Sequence, residues 1–206
     1  MPLLDRYAHW LAGAGLERGL IGPREAERLW DRHLLNSALL GELIADGVTV
    51  IDVGSGAGLP GLPLAITRPD LNIVLLEPLA RRVAFLEEVV ADLGLSERVK
   101  VIRGRAEEVP GLKAEVVTAR AVAGLSKLIG WAWPLVAPGG RMLLLKGDQA
   151  ANEIEEAERL LQRKRLAAYL HELGEGEDSI KVVEVLGIGA KPSSAGTLDQ
   201  GKAGND

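Results

Sequence analysis

The chain has no cysteine in its 206 residues. That removes disulfides, thiolate metal sites and any chemistry needing a covalent cysteine adduct, and it fits a reducing, cytoplasmic setting. No run approaches the roughly 18 apolar residues that span a bilayer, so no membrane partner is expected. The N-terminus carries Asp5, Arg6 and His9 among its apolar residues and does not read as a signal peptide. Basic charge is also short, with 24 Lys and Arg against 29 Asp and Glu and a net charge of −5. A nucleic-acid partner would therefore have to be met by a local basic patch. There is no internal repeat and no metal-ligand spacing. What remains is 47 % apolar and 26 % charged, enough for one α/β domain with a core and a small extension.

The most informative stretch runs from Val48 to Gly61. Val48 to Val53 reads as a buried strand interrupted only by Asp52. Glycines follow at Gly54, Gly56 and Gly58, which lets the backbone turn sharply and a ligand approach it. A dinucleotide fingerprint would place its third glycine at residue 59, but that residue is Leu59. The early third glycine, with an acid two residues before the first, resembles the opening motif of class I S-adenosylmethionine (AdoMet) methyltransferases. AdoMet has no pyrophosphate. It offers a cationic sulfonium, an amino acid end, a ribose and an adenine, which suit a glycine-lined loop beside a carboxylate.

Before this stretch, Leu3 to Leu11 predicts a short helix closed by Gly13 and Gly15, and Pro23 to Leu43 a longer one. On the latter His33 shares a face with Leu29 and Ser37, and a half-buried core histidine is the alternative to any functional role. After the loop a helix is expected over Leu59 to Ile66, then a strand over Leu71 to Leu76 ending in Glu77. Glu77 lies 19 residues past Gly58, where an acid at a strand's carboxyl end can accept the ribose hydroxyls. The next helix predicts a buried stripe of Leu79, Val83, Leu86, Val89, Val90 and Leu93 stopped by Gly94, with Arg81, Arg82, Glu87 and Glu88 solvated. A third strand over Val99 to Ile102 leads to Ala106 and Glu107, which this fold would set against the adenine.

Ala114 to Thr118 reads as strand four, with Arg120 just after it. A helix over Ser126 to Leu135, a turn at Pro138-Gly139-Gly140 and strand five over Met142 to Leu145, ending in Lys146, follow. Glu153 to Leu166 reads as a charged helix whose cationic end, Arg163 to Arg165, is solvated. Ala168 to Leu173 and Ile180 to Leu186 form a hairpin. The expected class is α/β, a Rossmann-like class I AdoMet-dependent methyltransferase with a seven-stranded, mostly parallel sheet and one reversed strand. Its expected divisions are an N-terminal helical cap over 1–45, the AdoMet-binding domain over 46–187 and a disordered tail over 188–206.

Strand four carries Thr118-Ala119-Arg120-Ala121 where methyltransferases of adenine amines carry an Asn- or Asp-Pro-Pro-aromatic segment, so that chemistry is not expected. No general base stands beside the loop. A ring nitrogen with a free lone pair, such as guanine N7, needs none, and catalysis can then be in-line positioning. Arg120 and Lys146 end strands on the acceptor side. Each is either a group for the acceptor or a strand-end cation reaching water.

Arg32-His33-Leu34-Leu35-Asn36-Ser37, the Asp52 to Gly61 loop, Arg105-Ala106-Glu107-Glu108, Ala119-Arg120-Ala121-Val122-Ala123 and Leu145-Lys146-Gly147 together resemble the GidB/RsmG family, in its actinobacterial branch. These are bacterial guanine-N7 methyltransferases of 16S ribosomal RNA. The resemblance implies Asp52, Gly54, Gly56, Gly58, Leu59, Glu77, Ala106, Glu107 and Arg120 at AdoMet, with Arg120 and Lys146 catalytic. It also implies His33, Pro60, Arg120 and Lys146 toward the RNA of the small subunit, and a cytoplasmic monomer. Asn36 stands where many members have Asp, and Arg18-Gly19-Leu20-Ile21 replaces an Asn-Leu-Thr segment. A small-molecule methyltransferase and a non-catalytic ribosome-binding factor are the alternatives.

Overall fold

The computed structural model describes residues 2–22, 34–120, 123–174, 176 and 179–193. Seven strands form one sheet: β1 (Thr49–Val53), β2 (Asn72–Glu77), β3 (Val99–Arg103), β4 (Ala114–Arg120), β5 (Val136–Lys146), β6 (Leu166–Leu173) and β7 (Ile180–Gly187). Their order is β3-β2-β1-β4-β5-β7-β6. Every pairing is parallel except those of β7, which runs against both β5 and β6. This is the class I methyltransferase plan. Strand order reverses between β1 and β4, so their carboxyl ends open the crevice where such sheets bind ligands.

The central strands are apolar on both faces because helices cover both. On one side α1 (Leu3–Trp10), α3 (Gly61–Thr67) and α4 (Ala80–Asp92) pack on Val50, Ile73, Leu75, Val116 and Leu143. On the other, α5 (Leu125–Ala132) and α6 (Ala150–Lys164) pack on Ile51, Leu76, Val117, Ala119 and Leu144. The buried stripe of α4 is Val83, Phe85, Leu86, Val89 and Val90. It ends as expected at Gly94, φ +68°, where Leu95 N–H returns to the Val90 carbonyl at 2.9 Å. Leu79 is not part of that stripe. It is the extended residue before the helix and is 45 % exposed.

The first helix does not stop at Gly13 and Gly15. It passes through a π turn over Leu11–Gly15 and closes at Gly19, φ +65°, with Leu20 N–H on the Gly15 carbonyl at 2.8 Å. A Cβ on Gly15 would stand 3.3 Å from the Trp10 carbonyl oxygen and in ordinary contact, 3.7 Å, with the Phe85 ring. Trp10 meets Phe85 edge-on at 5.9 Å and donates to Asp92 at 2.9 Å. Tyr7 and Leu11 are fully buried in the core shared with α3 and α4, so the extension is built into the sheet's cover. Of the helix expected over 23–43, residues 23–33 lie outside the described residues. The rest is α2 (Asn36–Leu39) followed by a 3-10 turn over Leu40–Leu43.

Two expectations at the chain's end are corrected. Pro138-Gly139-Gly140 lies inside β5, at a register shift against β4 between Ala114 and Val116. Gly140 is required there because a Cβ would fall 2.5 Å from the Glu115 carbonyl oxygen. Nor does a free tail begin at 188. Glu184 of β7 is wholly buried and gathers His171 Nε2 at 2.7 Å, Arg141 Nη1 at 2.6 Å and the Ser193 N–H at 3.0 Å. Burial pushes its carboxyl pKa up, but His171, Ser193 and Arg141 outweigh that and hold it below the ordinary value. Residues 194–206 lie outside the described residues. Glu184→Ala leaves buried His171 and the partly exposed Arg141 and Ser193 without their shared acceptor and is expected to cost about 1–3 kcal/mol. A urea midpoint equal to that of the unsubstituted chain would contradict this account.

Candidate active site

The turn after β1 sits at the reversal of strand order. Gly54, Gly56 and Gly58 have φ of +70°, +59° and +103°. At Gly58 a Cβ would also fall 2.4 Å from Leu62 and 3.0 Å from the Tyr7 hydroxyl, so both backbone and space demand glycine. Gly54 N–H reaches the Leu76 carbonyl of β2 at 2.8 Å, and Gly58 N–H that of Ser55 at 2.7 Å. The Tyr7 hydroxyl donates to the Ala57 carbonyl at 2.8 Å. Leu59 and Pro60 are buried, and Pro60 is the residue before the first turn of α3.

Two buried carboxylates underlie the turn. Asp52 Oδ2 accepts from Gly61 N–H at 3.1 Å, and Oδ1 has no hydrogen-bond partner. Burial raises its pKa to about 7, against the opposing effects of the Gly61 N–H and the Arg120 charge. Glu77, 1 % exposed, accepts from Gly56 N–H and Leu79 N–H, both at 2.9 Å, and its Oε2 lies 3.7 Å from Arg82 Nη1. Arg82 is therefore not the solvated residue expected. It leans over the glycine turn with its Nε buried and unpartnered.

A cleft of about 490 Å³ opens above these groups, within the range of small-molecule sites. Gly54, Gly56, Leu59, Glu77 and Arg120 line it as expected, and Asp52 and Gly58 lie beneath. Leu20, Ile21, Pro78, Leu79 and Arg82 line it too, though the sequence reading gave none of them a role there. Ala106 and Glu107 do not: Ala106 is buried in the core of the opposite face and Glu107 is exposed. His33 lies outside the described residues.

Lys146 is the main correction. Side chains alternate across a strand. Arg120 pairs with Leu145, which packs on the α1, α3 and α4 side, so Lys146 points to the other side. There its Nζ donates to the Ala123 carbonyl and to Glu153 Oε2, each at 2.8 Å, with 7 % of its side chain exposed. Glu153 in turn accepts Leu125 N–H at 2.7 Å. Lys146 ties down the chain just past Arg120 and does not reach the cleft. The cationic run Arg163–Arg165 is exposed as expected, but at the opposite end of the sheet, where β6 starts beside the end of β7.

The profile of the GidB family, rRNA small subunit methyltransferase G, matches residues 1–180. The chain belongs to the GidB family. Ribosomal RNA small subunit methyltransferase G of Thermobifida fusca is 60 % identical over 166 residues, 80 % of this chain and 70 % of that one. Its counterpart in Streptomyces avermitilis is 56 % identical over 192 residues, covering 91 % of this chain and 80 % of the relative. Among solved structures, the mitomycin 7-O-methyltransferase MmcR superposes with a TM-score of 0.60 at 17 % identity, over 89 % of this chain and 67 % of that one. The Bacillus subtilis tRNA methyltransferase TrmK gives 0.59 at 19 %, over 74 % and 65 %. These likenesses establish the fold that GidB family members share with methyltransferases of other substrates.

Two outcomes follow from the site. Lys146→Met should lower the urea midpoint and expose the Leu125 amide to hydrogen exchange while AdoMet affinity is unchanged; a loss of AdoMet affinity would return Lys146 to the cleft. For Asp52, the folded pKa of about 7 lies above the unfolded value of about 3.9. Burying the ionised form is then a penalty that grows from about pH 4 and is complete above about pH 7. Asp52→Asn removes that titration, so its melting temperature relative to the parent should rise between pH 5 and 8. A difference independent of pH would contradict the assignment.

Proposed function

We propose that this chain transfers the AdoMet methyl group to N7 of a guanine in small-subunit ribosomal RNA, acting as a cytoplasmic monomer. The reading rests on one observation above others. Glu77 and Arg120 line the cleft from the strands on either side of Asp52, which lies buried beneath it, and among the described residues no histidine or unengaged carboxylate lines it. That arrangement binds a cation-bearing nucleoside and offers no base. Guanine N7 has a lone pair and no proton to lose, so it is suited to a site that works by positioning.

The residues present fit AdoMet. The glycine turn admits a ligand to the main chain, and Asp52, buried beneath it, holds the turn's far end through Gly61 N–H. Glu77 has used two of its roughly four lone-pair directions, which leaves acceptors for the ribose hydroxyls. Leu79 and Ile21, in place of Ala106 and Glu107, supply apolar surface for the adenine. When bound, AdoMet supplies a methyl on a sulfonium, and the departing sulfur is a neutral thioether. Arg120 stands on the acceptor side. It cannot fork onto both O6 and N7 of guanine, because N7 must stay free to react; it can hold O6 alone or a neighbouring phosphate. The names of the relatives support the RNA substrate, as do the sequence motifs around Arg120. Among the described residues no helix is long and apolar enough to cross a membrane.

The test is to incubate the protein with labelled AdoMet and small ribosomal subunits from a strain lacking this activity, then map the modified nucleotide. Label on guanine N7 is expected, and Arg120→Ala should reduce its rate about 100-fold. Label on another atom removes the N7 assignment, label on no RNA removes the substrate class, and unchanged turnover in the variant removes Arg120.

A further inference from the structure

We propose that Tyr7, on the first helix, is a positioning residue of the cofactor site: its hydroxyl holds the Ala57 carbonyl and so keeps the Gly56–Gly58 turn in its ligand-ready shape. The inference rests on the reading of the cleft as the AdoMet site and deepens it.

Tyr7 has no exposed surface, and its hydroxyl donates 2.8 Å to a main-chain carbonyl 50 residues away. A buried hydroxyl needs a partner, and this one lies in the middle of the glycine turn. The peptide between Ala57 and Gly58 is thereby held at both polar ends. Its carbonyl is fixed by Tyr7, and its N–H is fixed by the Ser55 carbonyl at 2.7 Å. On the other side Glu77 holds Gly56 N–H. The turn is thus clamped between the end of β2 and α1. Three glycines with positive φ carry more conformational freedom than other residues would. A turn free to leave this shape reduces apparent affinity by the fraction of time it is absent.

Packing shows that the contact is built. A Cβ on Gly58 would come 3.0 Å from the Tyr7 oxygen, so the ring fills the space behind the turn. Helix α1 is itself anchored away from the turn, by Trp10 on Asp92 and Phe85 and by Arg6 on Asp92. Burial pushes the Tyr7 pKa well up, a nearby Arg120 lowers it and Asp52 raises it, so the hydroxyl is a proton donor at neutral pH. The first helix thereby acts on the cofactor loop as well as on the core.

The test compares Tyr7→Phe with Trp10→Phe and Glu77→Ala, using calorimetry with AdoMet, melting of the ligand-free protein and steady-state kinetics. Tyr7→Phe should raise the AdoMet Kd about three- to tenfold, the worth of one buried hydrogen bond, and raise KM with kcat unchanged. Trp10→Phe loosens the same helix at its outer anchor and should lower the melting temperature without changing Kd. Parental affinity in Tyr7→Phe overturns the inference. So does an equal loss of affinity in Trp10→Phe, since the effect would then be general loosening. Parental affinity in Glu77→Ala overturns the reading of the cleft itself.

Discussion

A carboxylate buried at the end of a central strand needs donors, and Asp52 obtains one from the first N–H of the following helix. That bond between Asp52 and Gly61 sets the rest of the site. It pulls the start of α3 against β1 and β2 so closely that a Cβ at residue 61 would fall 2.4 Å from Leu75 and 2.9 Å from Asp52 Oδ2. The chain between residues 53 and 61 must then turn within a few residues, which is why left-handed glycines recur there. Glu77 makes the same demand from the neighbouring strand by taking Gly56 N–H. The cleft is the space left above a turn drawn down by two acids.

Alternation along the strands decides which groups share that cleft. Asp52, Glu77 and Arg120 all lie on the side covered by α1, α3 and α4, so two acids and the strand-end cation share a small volume, with Arg82 of α4 beside them. The Arg120 charge opposes the burial of Asp52, and it is well placed to do so only because the two residues have the same parity on adjacent strands. Lys146 has the other parity. Paired with Glu153 and bonded to Ala123, it acts on the loop that follows Arg120. One cation lines the cleft, and the other ties down the chain at Ala123.

This division explains what could be read in the residues beforehand. The strands other than β5, the order of α and β units, the glycine turn and Glu77 are encoded locally, in period-two apolar runs and in spacing, and they appear where expected; β5 starts six residues earlier, at Val136. Parity between β4 and β5 is not local. It depends on a register that includes a bulge at Pro138-Gly139-Gly140, a segment whose composition alone means a turn. Arg82 sits on the polar side of an amphipathic helix, and the pattern cannot distinguish water from a cleft on that side. Tyr7 meets Ala57 across 50 residues and leaves no periodic trace. The stretch after Gly187 has the composition of a free tail, yet Ser193 docks by donating to buried Glu184 alongside His171 and Arg141. For Tyr7 and Ser193 a buried polar group, satisfied at long range, overrode a local signal.

Charge placement then constrains how an acidic chain could engage RNA. The exposed run Arg163–Arg165 precedes β6, and the cleft is at the other end of the strands. A strand of eight residues spans roughly 25 Å, more than twice the Debye length of about 8 Å at physiological salt. That run cannot assist a base held beside Arg120 except by gripping a distant part of a large substrate. With a net charge of −5, long-range attraction of the whole chain to phosphate is weak, so RNA affinity calls for a local basic patch. On the proposed reading, recognition draws on local cations and on the shape of a folded particle. A substrate presented in a structured ribosomal subunit meets that requirement, and a free strand does not.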